Sequence, residues 1–350
     1  DYCRGMFADA WEPMYSLLDK LARRTIESKA FRHGDHVLPR LYSLEFVEEL
    51  DFDLRRAEEL ASTPEHKARV RMWRLCQQHM LKYLTLRAAE YRGDFVAAAT
   101  IADDYLRFLD HIRTVNPHFV DHRWYSEREF GMQKQVQGFR SLAARVNGEE
   151  GRAIAKLPTR WWFKHDPDDV GVKERWHEFN AIAAYQPGDD LAVTAEYPAM
   201  PGWRLQSTEE SWQTSDADYQ GYNWYRTHLH LPKRLAGEQI RLLVTGIFGD
   251  MDFFINGQRV SWLSTTQRDG KPVQEEVNHL DLGTAWSWNY NETFEVRIEK
   301  YLRHGQTNTF AIRTRDKWHW GGIFKRVQLI SPITPPAPHT HQSSACDCSR

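Results

Sequence analysis

The spacing of apolar residues divides the chain into two parts with different periods. In residues 1–150, apolar side chains recur every three or four positions, which is typical of amphipathic helices. The clearest stripes are Val47, Leu50, Leu54, Ala57 and Ala61, then Trp73, Cys76, Met80 and Leu84, then Phe95, Ala99, Ala102, Leu106 and Leu109. Thr63 followed by Pro64 predicts an N-cap and the first position of a helix. With weaker helical segments at 11–27 and 124–147, the pattern predicts a bundle of four or five helices.

After about residue 157 the period changes to two, which is typical of strands. Apolar and polar residues alternate over residues 240–244, 294–299 and 310–313. The pair Asn256-Gly257 follows the strand-like segment 251–255 and favours a tight hairpin. We therefore predict an α+β chain with an all-α helical bundle over residues 1–150 and an all-β antiparallel sandwich over residues 157–332. The Pro/His/Ser/Thr-rich residues 333–350 cannot bury a core, so we expect a disordered tail.

Charge and composition restrict the classes of partner. The chain has 350 residues, with 46 Lys and Arg against 48 Asp and Glu, a formal net charge of -2. This balance argues against a nucleic-acid-binding protein, which usually carries a basic domain. No run of about 18 apolar residues is present, so we expect no membrane span.

Tryptophan is the unusual residue of the composition. Of the 14 Trp, three (Trp11, Trp73 and Trp124) fall in residues 1–150, which leaves eleven for the rest of the chain. Such a concentration favours either a recognition surface or a core rich in indole rings.

Metal and disulfide chemistry find little support in the sequence. Four cysteines are too few for a disulfide framework in a chain of this length. In the tail, His339, His341, Cys346 and Cys348 form an H-x-H…C-x-C string, but its spacing matches no standard zinc site. We therefore expect no metal and no cofactor.

A structural calcium ion is the one alternative that the sequence leaves open. Asp166, Asp168 and Asp169 form a cluster of oxygen ligands, the kind that calcium prefers. A turn stabilised by the Asp side chains is the simpler account of the same three residues.

Five segments of the second half, taken in chain order, carry a family resemblance. They are residues 161–176 (WWFKHDPDDVGVKERW), 221–226 (GYNWYR), 249–257 (GDMDFFING), 308–313 (NTFAIR) and 321–327 (GGIFKRV). Together they resemble the jelly-roll, galactose-binding-like sugar-binding domain of family 2 glycoside hydrolases. The resemblance implies a jelly-roll sandwich and carbohydrate, a poly- or oligosaccharide, as its partner.

The first half is similar to the helical region that follows the catalytic barrel in large bacterial glycosidases. The similarity lies in residues 7–14 (FADAWEPM), 41–43 (LYS) and 93–95 (GDF). It implies that this chain is a C-terminal fragment, that its partner is the missing N-terminal catalytic barrel, and that it carries no catalytic residues of its own. The resemblance also implies a secreted or periplasmic location, which cannot be read from the sequence itself.

Two Trp-rich clusters between predicted strands are the candidate carbohydrate-binding residues. A sugar site needs flat apolar faces framed by a few polar groups. The candidates are Trp286, Trp288, Asn289, Trp318, His319 and Trp320. The same Trp side chains can instead pack against the helical bundle or the missing barrel, and both alternatives stay open.

Other conspicuous residues favour structural roles. Trp161, Trp162, Trp176 and Trp224 lie in the family motifs and are expected to be core residues. Arg226 and Arg313 are expected to pair with carboxylates on neighbouring strands rather than to hold a ligand. His228 and His230 alternate on a predicted strand and are expected to face solvent.

Three hypotheses for function follow from these observations. The first is an accessory carbohydrate-binding region of a glycoside hydrolase. The second is a sandwich that braces such an enzyme without binding sugar. The third is a complete glycosidase with two carboxylates between bundle and sandwich, because glycoside hydrolysis generally needs such a pair.

Overall fold

The computed structural model describes residues 1–28, 38–119, 131–179, 200–209, 219–268, 271–279, 293–316 and 322–333. The chain divides into two compact units, one over Asp1–Ala144 and the other beginning at Arg145. Helices form the first unit and antiparallel sheets form the second. The predicted fold class, a helical part followed by an antiparallel β part, is confirmed.

Within the described residues, the first unit contains seven α-helices. They are α1 (Tyr2–Phe7), α2 (Trp11–Glu27), α3 (Leu38–Leu41), α4 (Leu44–Leu60), α5 (Pro64–Tyr91), α6 (Phe95–Val115) and α7 (Met132–Ala144). Five of them, α2 and α4 to α7, are long. The apolar pattern predicted four or five helices, so the observed number agrees with the upper value. None of the described helices is long and apolar enough to cross a membrane.

Side chains at the N-caps fix where three of these helices begin. Ser43, Thr63 and Asp94 each accept a hydrogen bond, 3.2 Å long, from the backbone N–H three residues further along. Each satisfies a donor that the first turn of a helix leaves free. The predicted Thr63-Pro64 start of α5 is therefore confirmed.

The apolar stripes mark buried faces with differing accuracy. The whole α4 stripe is buried. On α5 only Leu84 of the predicted four is fully buried, because this 28-residue helix also buries Leu75, Leu86 and Ala89 on other sides. A helix that is contacted from several sides does not show one clean stripe.

The second unit contains fourteen strands within the described residues. They are β1 (Gly151–Lys156), β2 (Arg160–Asp166), β3 (Arg204–Ser207), β4 (Gly221–Leu231), β5 (Arg241–Val244), β6 (Ile247–Phe248), β7 (Asp250–Ile255), β8 (Gln258–Arg259), β9 (Trp262–Arg268), β10 (Lys271–Val277), β11 (Phe294–Arg297), β12 (Gln306–Asp316), β13 (Gly322–Ile323) and β14 (Gln328–Pro332). A four-stranded sheet has the order β1-β14-β5-β11, and a six-stranded sheet has the order β3-β2-β4-β12-β7-β8. Two further pairs, β9-β10 and β6-β13, are separate.

A single apolar core joins the two larger sheets. It includes Trp161 and Phe163 of β2 and Tyr225 of β4 from the six-stranded sheet. Leu242 of β5 and Leu329 of β14 come from the four-stranded sheet. Side chains that alternate along a strand point to opposite faces, so these residues define the inner face of each sheet.

The predicted hairpin connects β7 to β8. Asn256 and Gly257 both have positive φ angles, 52° and 79°, as the two central residues of a type I′ turn require. The Asn256 side chain donates to the carbonyl of Tyr301 and to Oδ1 of Asn308, both at 2.8 Å. Its side chain therefore ties the turn to the neighbouring chain segments.

We predict that Thr63→Ala lowers the free energy of unfolding by about 1 kcal/mol, because α5 loses its N-cap. Denaturant unfolding followed by far-ultraviolet circular dichroism measures the change. Thr85→Ala is the matched control, since the exposed Thr85 hydroxyl bonds back to the Leu81 carbonyl within α5. An equal loss in both variants would contradict the capping role.

Candidate functional site

The six-stranded sheet buries side chains on both of its faces. We call the face opposite the sandwich core the outer face. Its members are the residues that alternate with the core residues of β2, β4, β12 and β7, namely Trp162, Lys164, Asp166, Trp224, Arg226, His228, Ala311, Arg313, Asp252 and Phe254. Charged and aromatic side chains are therefore packed side by side on this face.

The strand register places the two arginines of the outer face beside different neighbours. Arg226 lies opposite Trp162 of β2 and Ala311 of β12. Arg313 lies opposite Asp252 of β7. Only Arg313 therefore has a carboxylate directly across from it.

The Asp166 carboxylate anchors a loop over the outer face. Its Oδ1 accepts the Val170 N–H at 2.8 Å, and its Oδ2 accepts the Gly171 N–H at 2.9 Å. Oδ2 also accepts Nε1–H of Trp224 at 2.9 Å. Because Asp166 and Trp224 are fully buried, these three charge-assisted hydrogen bonds hold the loop start firmly on the sheet.

Gly171 makes this approach possible. A Cβ atom added to Gly171 would lie 2.7 Å from Oδ2 of Asp166 and would also overlap the Trp224 indole. Any side chain at this position would push the loop away from the sheet.

Three half-buried aromatic rings cover part of the outer face. Trp176 and Trp203 meet edge to face with ring centroids 5.9 Å apart, and Phe179 packs into the same cluster. The Lys164 ammonium lies 3.8 Å from the centroid of Trp176. The sequence did not single out Phe179 or Trp203, and its only signal for Trp203 was the high Trp content of the second half.

The Asp252 carboxylate, 2% exposed, is the centre of a charge network. Arg313 donates to Oδ2 at 3.0 Å, while Arg259 and His279 both contact Oδ1. Burial opposes ionisation of Asp252, but the hydrogen bonds from these three side chains outweigh it and hold its pKa below the usual range. Arg313 also pairs with Asp169, so its predicted role as a partner of carboxylates is confirmed.

Arg226 differs from Arg313 in having no carboxylate partner among the described residues. Its guanidinium carbon lies 3.8 Å from the ring centroid of Trp203 and 5.0 Å from that of Phe179. Nη1 contacts Sδ of Met200 at 3.6 Å, and the buried Nε has no hydrogen-bond partner in the described part of the chain. Burial lowers the pKa of Arg226 to about 10. The expectation of a cross-strand carboxylate is wrong for the described part of the chain, because the register places Ala311 there.

Burial disfavours the protonated form of two histidines beside this cluster. Burial lowers the pKa of His228. Burial is also the largest cause of the lowered pKa of His177, and the nearby Glu178 carboxylate opposes it. The expected solvent exposure of His228 is wrong, because the outer face of β4 is covered and Trp162 lies 5.7 Å from the His228 ring.

The six residues proposed as carbohydrate ligands, Trp286, Trp288, Asn289, Trp318, His319 and Trp320, lie outside the described residues. The tail residues 334–350, with their His and Cys string, do so as well. Trp161, Trp162 and Trp224 are buried as expected, whereas Trp176 is half-buried.

The acidic cluster proposed for calcium has other partners in the structure. Both Asp166 oxygens are engaged by N–H donors, and Asp169 pairs with Arg313. In the parts of the chain that the structure describes, no group of three or more His, Cys, Asp or Glu is arranged to hold a metal.

Comparisons with known proteins give a distant likeness. No protein-family model and no curated protein matches the chain. Solved structures that resemble it include the β-glucuronidase of Ruminococcus gnavus, at 15% identity and a TM-score of 0.35, also seen in complex with D-glucuronic acid. A complex of that enzyme with N1-substituted uronic isofagomine gives 15% identity and a TM-score of 0.36. The matches cover 53% of this chain and 30% of the β-glucuronidase, so the likeness is to part of a glycoside hydrolase.

We predict that Asp166→Asn lowers the free energy of unfolding by about 3 kcal/mol, because hydrogen bonds to a buried charged acceptor are lost. Denaturant unfolding followed by tryptophan fluorescence measures it. The exposed Asp168 provides the control, and Asp168→Asn is expected to stay within about 0.5 kcal/mol of the parent chain. If Asp166→Asn lowered the free energy of unfolding by no more than this control, the anchoring role would be contradicted.

The lowered pKa of Asp252 predicts a pH dependence of stability. The stabilisation by its carboxylate is fully present above the unfolded-state pKa of about 3.9 and is lost as pH falls through the lower folded-state pKa. Asp252→Asn is therefore expected to cost about 3 kcal/mol or more near neutral pH, because it leaves the largely buried Arg313 without its cross-strand partner. Urea unfolding over a pH series should show this difference shrinking in acid, while a difference that grows below pH about 4 would refute the assignment.

Proposed function

We propose that this chain is an accessory region of a glycoside hydrolase and that its sandwich binds carbohydrate. The five motifs between residues 161 and 327 support the proposal through their resemblance to family 2 sugar-binding domains. In this proposal the hydrolytic chemistry belongs to a catalytic barrel that is separate from both units of this chain.

The observation that carries the proposal is the half-buried aromatic cluster on the outer face. Trp176, Phe179 and Trp203 remain partly accessible although they pack on a sheet whose other side is a complete core. Indole rings supply the flat apolar surface that the C–H face of a pyranose needs. The fixed cations Lys164 and Arg226 lie directly beside them and can orient polar groups of a bound ligand.

The carboxylates of the outer face favour binding over catalysis at this surface. A glycosidase acid needs a pKa raised towards neutrality so that it holds a proton to donate. Asp252 has the opposite shift, and its oxygens are already engaged by three side chains. Asp166 likewise accepts three hydrogen bonds.

A sandwich that only braces the enzyme is the second candidate. The burial of Trp161, Trp162 and Trp224 favours it, since these three indole rings of the family motifs pack inside the protein and cannot contact a sugar. The Lys164 ammonium over Trp176 also covers one ring that a sugar would use.

Affinity gel electrophoresis of the full chain against a panel of immobilised polysaccharides tests the proposal. We predict retardation by at least one glycan, with a Kd about tenfold weaker in Trp203→Ala, because a stacking surface worth about 1.4 kcal/mol is removed. Trp288→Ala and Trp318→Ala test the two clusters predicted from the sequence in the same assay.

Trp11→Ala is the matched control, because it removes an indole from α2 in the helical unit. Its mobility on every gel should equal that of the parent chain. If no glycan retards the parent chain while its circular dichroism is native, the carbohydrate-binding proposal is refuted and the bracing role is favoured.

A further inference from the structure

Arg226 is a buried cation whose charge is not balanced within the described residues. The side chain is 7% exposed, and no described carboxylate pairs with it. Its one hydrogen-bonding contact to a described residue is from Nη1 to the Met200 thioether, a weak acceptor. Burial of a charged group without a partner is unfavourable, so a guanidinium in this environment favours the binding of an anion.

One donor of the guanidinium can reach an anionic ligand. Nη1 contacts Met200, and Nε is buried, with no hydrogen-bond partner among the described residues. Nη2 makes no hydrogen bond to a described residue and is not one of the fully buried atoms, so it is the donor that a ligand can contact. A charged N–H that donates to a carboxylate oxygen forms a hydrogen bond roughly twice as strong as one between neutral groups.

The surroundings of Arg226 hold the guanidinium in place. Trp203 lies 3.8 Å and Phe179 lies 5.0 Å from its carbon, so the side chain is fixed between aromatic rings. Ala311, opposite it on β12, offers the guanidinium no side-chain acceptor. Aromatic rings around an ion pair exclude water and strengthen it.

We propose that Arg226 binds the carboxylate of an acidic sugar unit, so that the ligand of the sandwich is a carboxylated glycan. This inference rests on the proposed carbohydrate-binding function and specifies its ligand class. It assigns Arg226 as the residue that distinguishes acidic from neutral sugars, while the aromatic cluster contributes to the affinity for both.

Paired ligands test the charge requirement directly. Alginate, polygalacturonate and a glucuronoxylan are each immobilised before and after chemical reduction of their carboxyl groups to alcohols. The full chain should bind at least one acidic form at least tenfold more tightly than its reduced form, and Arg226→Met should abolish that preference. Arg315→Met, which removes an exposed cation of β12, should keep it.

The possible results separate this inference from the proposed function. Binding of neutral and reduced glycans as tightly as acidic ones would overturn the carboxylate assignment and leave carbohydrate binding intact. Absence of binding to every glycan would overturn both. Dextran sulfate is the control for charge alone. If the chain prefers dextran sulfate to dextran as strongly as it prefers acidic glycans to their reduced forms, and Arg226→Met does not change that preference, the role of Arg226 is also refuted.

Thermal unfolding without any glycan supplies a second, independent test. If Arg226 has no anionic partner in the free protein, Arg226→Met should leave the Tm unchanged or raise it. Arg313→Met is the comparison, because it removes a cation paired with Asp252 and Asp169 and should lower the Tm. A fall in Tm for Arg226→Met as large as that for Arg313→Met would show an internal partner and overturn the inference.

Discussion

The outer face depends on the anchoring of one loop by the buried carboxylate of Asp166. Three N–H donors converge on it, two from the backbone at Val170 and Gly171 and one from the Trp224 indole. The loop that follows brings Trp176 and Phe179 onto the sheet, where they join Trp203. Without this anchor the aromatic cluster would lose its support, and the covered environment of Arg226 would open to water.

The number of covered faces determines how far each element could be predicted from sequence. The α4 stripe was predicted in full because one face of that helix is buried, whereas α5 is contacted from several sides and shows no single stripe. The alternation over residues 240–244 and the segment 251–255 before Asn256-Gly257 correctly located β5 and β7. On β4 both faces are covered, so polar His228 is nearly as deeply buried as Leu229, and polarity alone misassigned it to the solvent.

The candidate site was the least predictable feature because it depends on strand register. Arg226 and Arg313 occupy similar motif positions, and both were expected to pair with carboxylates. Pairing of Arg313 with Asp252 and of Arg226 with Ala311 is a property of the assembled sheet. A sequence read one strand at a time contains no information about which residues become opposite each other.

Gly171 has a consequence for how this surface can change in evolution. Because no side chain fits between its backbone and the Asp166–Trp224 pair, the three positions form a unit that cannot be altered one residue at a time. The residues that the loop presents, such as the exposed Val172 and Lys173, carry no such restriction. Homologues can therefore diversify the rim of the aromatic cluster freely, whereas a substitution at position 171 would indicate that the loop has taken another course.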